Sequence, residues 1–455
     1  MNSTRSLAVA EFVLGLSWTT LPPDIQRQAL RCVLDLCGCG LAGSRTRVAA
    51  ILRTYVRETY GPGGATVIGS REPASSCGAT LANAFAVSAL DLDDGDRLTK
   101  GHPGAVIFPA ALAAAQEAGR SGAEFLTAVV AGYEVAMRAG RILHPLYRFY
   151  HGTGAWGPIG AAAAAARLLG CDAGGIWHAM GIAEFHAPMT PEMRSVDHPS
   201  MLKDGIGWGA AAGMAAARLA ALGFTGIPSL FDAGDLADAL TTSLGQEYLI
   251  ERLYVKPYPC CRWAQPAITG ALHALRELHV AAPEVARVRV HTFEAATHLR
   301  VTAPATTEEA QFSLPWAVAC ALAYGTVSPE HVLESGLENP LCRELAARVE
   351  MVVDTDLERS FPTRALARVE VESVDGRRVT SPVVGAPGDP DTALSDEALE
   401  EKFHHLADPV VGPTLADEII HAVYRLPEAR DMAGLAALLS APSPGGPGGL
   451  APSRK

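Results

Sequence analysis

Up to about residue 260 the apolar positions recur at helical spacing, and the pattern predicts helices over 5–17, 23–42, 78–90, 106–119, 122–143, 157–169, 172–183 and 207–222. The second opens on Pro22-Pro23-Asp24, a helix-start signal. Several of these stretches (AALAAAQEAG, GAAAAAARLLG, GAAAGMAAARLAALG) carry small residues on nearly every face, as helices packed tightly inside a bundle do. Such helices leave little room for chemistry, so candidate groups belong in the loops between them.

Past residue 265 the pattern changes. A helix over 265–278 leads into the β-branched run VARVRVHTF (285–293). A helix over 312–323 precedes three more strand-like runs, at 348–354, 367–374 and 377–384. Asp375-Gly376 between the last two is a hairpin-turn dipeptide. The expectation is a mainly α protein: a helical domain over 1–265, completed by helices within 395–440, and a smaller α+β domain over 266–394 with an antiparallel sheet. The tail 441–455, rich in proline and glycine, is expected to be disordered.

Composition narrows the function. With 455 residues the chain exceeds what one core usually supports, in line with two domains. A formal charge of −12 and no basic run exclude a nucleic-acid or anionic-membrane partner. Arg167 and Arg218 interrupt the alanine-rich stretches, neither of which is an apolar span. No signal-peptide pattern opens the chain, so a cytoplasmic location is expected. The nine cysteines lack the density of a disulfide scaffold and the spacing of a zinc site. Vicinal Cys260 and Cys261 read as buried small residues rather than a redox pair.

Five lysines stand against thirty-two arginines. Lys402, among acidic residues, and Lys455 read as solvated surface. Lys100, Lys203 and Lys256 instead lie in glycine- and proline-rich loops, where a compact ammonium that can lose its proton does what a guanidinium cannot. They read as groups for a small anionic substrate. The segment DLDDGDRLTKGHPGAVIFP (91–109) places four aspartates before Lys100 and His102. It could be a solvated acidic loop, or an aspartate could orient His102 as a proton shuttle. A calcium loop would need glutamate where His102 stands. His151 sits in a glycine-rich turn before a helix, but GTGAWG lacks the strand of a dinucleotide site. Lys256 is held by prolines and accompanied by Arg262 and Gln265.

In this order, LPPDIQRQALRCVLDLCGCGLAG, ANAFAVSALDLDDGD with HPGAVIFPA, GYEVAMRAGR, FYHGTGAWGPIGAAAAAARLLG, KDGIGWGAAAGMAAARLAALGFTG, KPYPCCRWAQPAI and AQFSLPWAVACAL resemble the MmgE/PrpD family over nearly the whole chain. That family includes 2-methylcitrate dehydratase, cis-aconitate decarboxylase and iminodisuccinate epimerase. The resemblance implies a homodimer and chemistry without cofactor or metal, in a cleft beneath the smaller domain. It maps the family's catalytic groups onto Asp91, His102, His151, Lys203 and Lys256. Lys100 has no counterpart; with Arg262 and Gln265 it is expected to bind substrate. Threonine, histidine and histidine, common in the family, are replaced by Gly95, Ser88 and Gln265, and 298–307 lacks the tyrosine of decarboxylases. The implied function is a 2-methylcitrate dehydratase-like lyase on a small di- or tricarboxylate. His102, oriented by Asp91, removes a proton, Lys203 and Lys256 hold carboxylates, and His151 protonates the departing hydroxyl. An epimerase or a decarboxylase is the alternative, and a non-catalytic scaffold a more remote one.

Overall fold

The computed structural model describes residues 4–440; the tail expected to be disordered lies outside them. The expected helices form at Arg5–Gly15 (α1), Pro23–Gly43 (α2), Ser76–Ser88 (α4), Pro103–Ala118 (α5), Gly122–Leu146 (α6), Gly157–Leu168 (α7), Ala173–His186 (α8) and Ile206–Ala221 (α9). Helix α3, Arg47–Thr59, was not anticipated, although Val48, Leu52 and Val56 make a buried stripe at four-residue spacing. Glycine and alanine let the central helices nearly touch. A Cβ on Gly160 of α7 would lie 2.3 Å from the Gly132 carbonyl of α6 and 2.6 Å from the Ala136 methyl. Any larger side chain there would drive the helices apart.

The chain then forms α10 (Gln265–Leu278), β1 (Val285–Thr292), α11 (Leu314–Tyr324), α12 (Pro340–Ala347), β2 (Val349–Val353), β3 (Arg368–Ser373) and β4 (Arg378–Thr380). The sheet order is β2-β1-β3-β4. Its β1–β3 and β3–β4 pairs are antiparallel, the latter closed through Gly376 at φ 86°, as the turn dipeptide predicts. β1 and β2 are parallel, so the sheet is mixed rather than wholly antiparallel. The physical reason is the long return between them, which carries α11 and α12 and brings the chain back in the same direction.

Helices α13 (Asp396–Val411), α14 (Pro413–Tyr424) and α15 (Ala433–Leu439) are the last among the described residues, and α13 packs along α2. This packing corrects the view of Lys402 as solvated. Its side chain is buried, and Nζ donates to Asp35 Oδ1 of α2 at 2.6 Å and to the Leu92 carbonyl at 3.1 Å. Acidic neighbours along the sequence say nothing about the face that α13 turns inward. Removing one member of such a pair strands the other without a partner in a dry interior, at about 3–5 kcal/mol. Lys402→Met is therefore expected to lose that much stability, and Lys402→Met with Asp35→Leu to recover most of it. Urea midpoints for the three proteins check this; a double variant no more stable than the single would refute it.

Candidate active site

The acidic loop after α4 is buried rather than solvated: Asp93 and Asp94 are fully inaccessible and Asp91 and Asp96 nearly so. Asp91, Asp94 and Asp96 are each held by donors, whereas neither carboxylate oxygen of Asp93 finds one in the protein. Thr99 donates to Asp96 Oδ2 from its N–H at 2.7 Å and from its hydroxyl at 2.5 Å, and Arg141 lies 3.2 Å from the same oxygen. Asp94 accepts from the Gly104 N–H at 3.0 Å and from the Tyr133 hydroxyl. Gly95 exchanges backbone hydrogen bonds with Tyr254, whose hydroxyl would lie 2.3 Å from a Cβ at position 95. The family's threonine could not fit there without moving Tyr254.

His102 immediately precedes α5, and its Nδ1 lies 2.7 Å from the Asp94 carbonyl oxygen. A carbonyl only accepts, so Nδ1 carries a proton, and in the neutral tautomer this selects, Nε2 is the basic nitrogen. Nε2 lies 3.9 Å from Asp91 and 3.8 Å from Asp204, beyond hydrogen-bonding distance of either. The group that fixes the tautomer is thus the Asp94 backbone, not Asp91 as the sequence suggested. Asp91 is engaged elsewhere: it accepts from Lys256 Nζ at 2.7 Å, and Asp93 lies 3.8 Å from the same ammonium. Burial opposes the charge on Asp91, but Lys256, Lys203 and His102 together hold its carboxyl well below the usual range. Burial likewise opposes the charge on Lys256, yet Asp91 and Asp93 raise its pKa. Lys256 is itself delivered by a pinned segment, because Glu134 of α6 accepts from the N–H groups of Leu249 and Ile250, both at 3.0 Å.

Lys203 is buried, donates from Nζ to Gln311 Oε1 at 2.6 Å, and has no carboxylate partner among the described residues. Gln311 is in turn fixed by donating to the Ala89 carbonyl at 3.0 Å. Lys100 is half-buried, its ammonium 5.5 Å from the centre of the Tyr150 ring, and it too makes no ion pair among the described residues. Asp91, Lys100, Lys203 and Asp204 have φ of 53°, 58°, 45° and 55°; His279 is the one other non-glycine residue with positive φ among those described. Left-handed backbone is costly outside glycine and concentrates where a side chain must be aimed.

These groups surround a cavity of about 280 Å³. Asp91, Lys100, His102 and Arg262 line it, while Lys203 and Lys256 lie buried beneath its wall. Arg262 is largely engaged, with Asp389 at 2.5 Å and the Tyr254 ring 4.7 Å from its guanidinium carbon. Gln265 does not line the cavity: its amide donates to the Tyr258 and Cys260 carbonyls at 3.0 and 3.1 Å, and its oxygen accepts from Arg262, which shapes the turn before α10. Ser88 is buried and donates to the Ala84 carbonyl. His151 is also absent from the lining. Its Nε2 contacts the Tyr147 carbonyl at 3.1 Å, its ring lies against Phe149, and burial lowers its pKa. Cys260 is buried beside the site and Cys261 lines it; both are free thiols, and burial pushes them up.

Sequence reasoning missed Glu192 and Asp204, both lining the cavity. Asp204 had a signal: it follows Lys203 and precedes a glycine in a segment already singled out. Glu192 had none, because its loop is placed only by tertiary packing. Apolar walls from Met193, Val196, Trp263, Phe312 and Phe361 leave polar contacts to few groups, as in a site for a small molecule. Among the described residues no cluster of three or more His, Cys, Asp or Glu is arranged to hold a metal ion, and no helix is long and apolar enough to cross a membrane.

Comparison with known proteins covers both halves of this arrangement. Residues 7–244 match the MmgE/PrpD N-terminal domain and residues 258–426 the MmgE/PrpD C-terminal domain. A cis-aconitate decarboxylase-like protein of Aspergillus oryzae is 26% identical, over 96% of this chain and 97% of its own length. The cis-aconitate decarboxylase of Homo sapiens is 27% identical (97% and 95%), and that of Aspergillus terreus 23% (95% of each).

Burial pushes the Asp94 carboxyl up to about 7, Tyr133 opposing and Asp35 and Asp93 reinforcing the shift. A raised pKa means that folding favours the protonated form. Its contribution is complete below about pH 4, the unfolded value, and is lost as pH rises through 7. Urea midpoints of the native protein are expected to fall from pH 5 to pH 8 more steeply than those of Asp94→Asn, which keeps the contacts without titrating. Parallel profiles would refute this.

Proposed function

The chain belongs to the MmgE/PrpD family, and we propose that it is a lyase acting on a small di- or tricarboxylate, beginning with removal of a proton α to a carboxylate. The observation that carries this is His102: an imidazole whose Nδ1 is held by the Asp94 carbonyl and whose Nε2 reaches neither Asp91 nor Asp204, in a small cavity beside the ammonium of Lys100, with Lys203 buried beneath the wall. Proton abstraction next to a carboxylate builds charge on its oxygens, and fixed cations in a water-poor pocket stabilise that charge. Lys100 binds one carboxylate and Lys203 faces the developing charge. Lys256 acts through Asp91, which it holds ionised next to the ring that becomes imidazolium. The second step expels a β-hydroxyl, which makes the reaction a dehydration or its reverse.

Decarboxylation is the second reading, favoured by the relatives, which are cis-aconitate decarboxylases. Against it stands the missing tyrosine at 298–307. The cavity does contain Tyr150 and Tyr254, from other segments. We further propose that residues 266–394 form the smaller domain, closing over the cleft, and that the protein works as a cytoplasmic homodimer.

Incubation in D₂O with citrate, 2-methylcitrate, cis-aconitate and malate, followed by proton NMR, tests the reaction. Deuterium is expected α to a carboxylate, together with gain or loss of a conjugated double bond. His102→Gln is expected to lower both by roughly 10²–10⁴-fold, and Lys203→Ala by about 10²–10³-fold. Release of carbon dioxide would favour decarboxylation, and exchange without a new double bond an epimerase. No exchange on any of the four acids would sink the proposal.

A further inference from the structure

We propose that Glu192, sharing one proton with Asp204, is the catalytic acid that protonates the departing hydroxyl. This rests on the lyase reading and extends it to the second half-reaction, for which the sequence suggested His151. That histidine does not reach the cavity wall, whereas Glu192 and Asp204 do.

The local structure is built to bring two carboxyl groups together. Glu192 opens a short helix, and its N–H is fixed by the Tyr150 carbonyl at 2.9 Å. Asp204 sits in three successive left-handed residues, Lys203, Asp204 and Gly205, at φ 45°, 55° and 71°. Gly152 makes room between them: a Cβ there would lie 2.6 Å from Glu192 Oε2 and 2.8 Å from the Asp204 carbonyl. Both side chains line the same cavity. Yet Glu192 Oε2 and Asp204 Oδ1, both buried, find no donor in the protein. Two adjacent carboxylates offer only acceptors, so a single proton supplies the missing donor and removes the repulsion. Glu192 is 5% exposed, and burial together with Asp204 pushes its carboxyl well above the usual range. Lys203, the nearby cation that opposes the shift, is engaged by Gln311.

The proton balance closes around this pair. His102 Nε2 takes the α-proton and the C–H electrons form the new double bond. The C–O bond breaks, and the hydroxyl takes the Glu192 proton and leaves as water. Imidazolium at His102 and an ionised carboxyl pair remain, with Asp204 Oδ2 3.8 Å from Nε2. Transfer of the His102 proton to Asp204, and on to Glu192, restores the starting state. Hydration is the same path reversed.

Glu192→Gln removes the proton while keeping the shape, and Asp204→Asn does the same at a left-handed position that asparagine tolerates. With citrate or 2-methylcitrate in D₂O, Glu192→Gln is expected to slow appearance of the conjugated acid by 10²-fold or more, with deuterium exchange within a few-fold of native. His102→Gln is expected to lower both together, by roughly 10²–10⁴-fold. A variant that forms product within a few-fold of native, or loses exchange together with product while melting like the native protein, overturns the assignment. Infrared difference spectra at pH 7 provide a readout without substrate: native minus Glu192→Gln is expected to contain the carbonyl band of a neutral carboxylic acid, shifted in D₂O. Absence of that band overturns the shared proton. Native protein that exchanges none of the acids defeats the lyase reading instead, and the infrared result still decides the proton.

Discussion

The ion pair between Lys256 and the two aspartates Asp91 and Asp93 governs how the rest of the molecule is arranged. Two carboxylates and an ammonium have been taken out of water almost completely. Each ion costs several kcal/mol to desolvate, and mutual attraction offsets this only if the geometry is held. The holding comes from both sides. On one, Thr99 and Asp96 close the loop on itself, and Asp94 ties it to α5 through the Gly104 N–H. On the other, Glu134 and Arg138 inside α6 fix residues 247–250, and so the approach of Lys256. Lys402 adds a third clamp by bonding the Leu92 carbonyl next to Asp91. Small residues in the central helices serve the same end, since only close-packed helices make a frame stiff enough for buried charge.

That frame also explains the strained backbone. Asp91, Lys100, Lys203 and Asp204 each spend conformational energy in the left-handed region, on the order of 1–3 kcal/mol apiece. A bundle dense enough to leave no alternative packing can impose this. The strain has a consistent direction: each such residue presents a charge to the cavity or to the space just beneath it.

Much of this was legible in the sequence because it is local. Helical periodicity located the main helices, the turn dipeptide located the hairpin, and lysine scarcity pointed to Lys100, Lys203 and Lys256. What escaped was set by residues far apart in the chain. Lys402 meets Asp35 across 367 positions, and its acidic neighbours concealed that face. The parallel pairing of β1 and β2 depends on a return that no local pattern encodes. Which group orients His102 could not be read from spacing either, because the partner is a backbone carbonyl that any residue at 94 would supply. Glu192 becomes conspicuous only when Gly152 lets its carboxyl approach Asp204.

Charge balance in the cavity wall ties these features to the chemistry. Six cations gather in that wall or just behind it: Arg97, Lys100, Arg141, Lys203, Lys256 and Arg262. Asp91, Asp93, Asp96 and Asp389 supply four negative charges, and Glu192 with Asp204 one more if they share a proton. With Asp94 protonated, the site then holds one positive charge in excess, inside a protein of formal charge −12. Were the pair fully ionised, that excess would vanish and the attraction for a carboxylate substrate would weaken. The proton that supplies a leaving group's acid is therefore the same proton that makes the cavity receptive to an anion. Asp94, its carboxyl pushed up to about 7, contributes in the same direction below that pH, since its backbone carbonyl holds His102 while its protonated side chain adds no competing charge. Binding and acid catalysis are in this way coupled through one protonation state, set by burial and by two carboxyl groups lining one cavity.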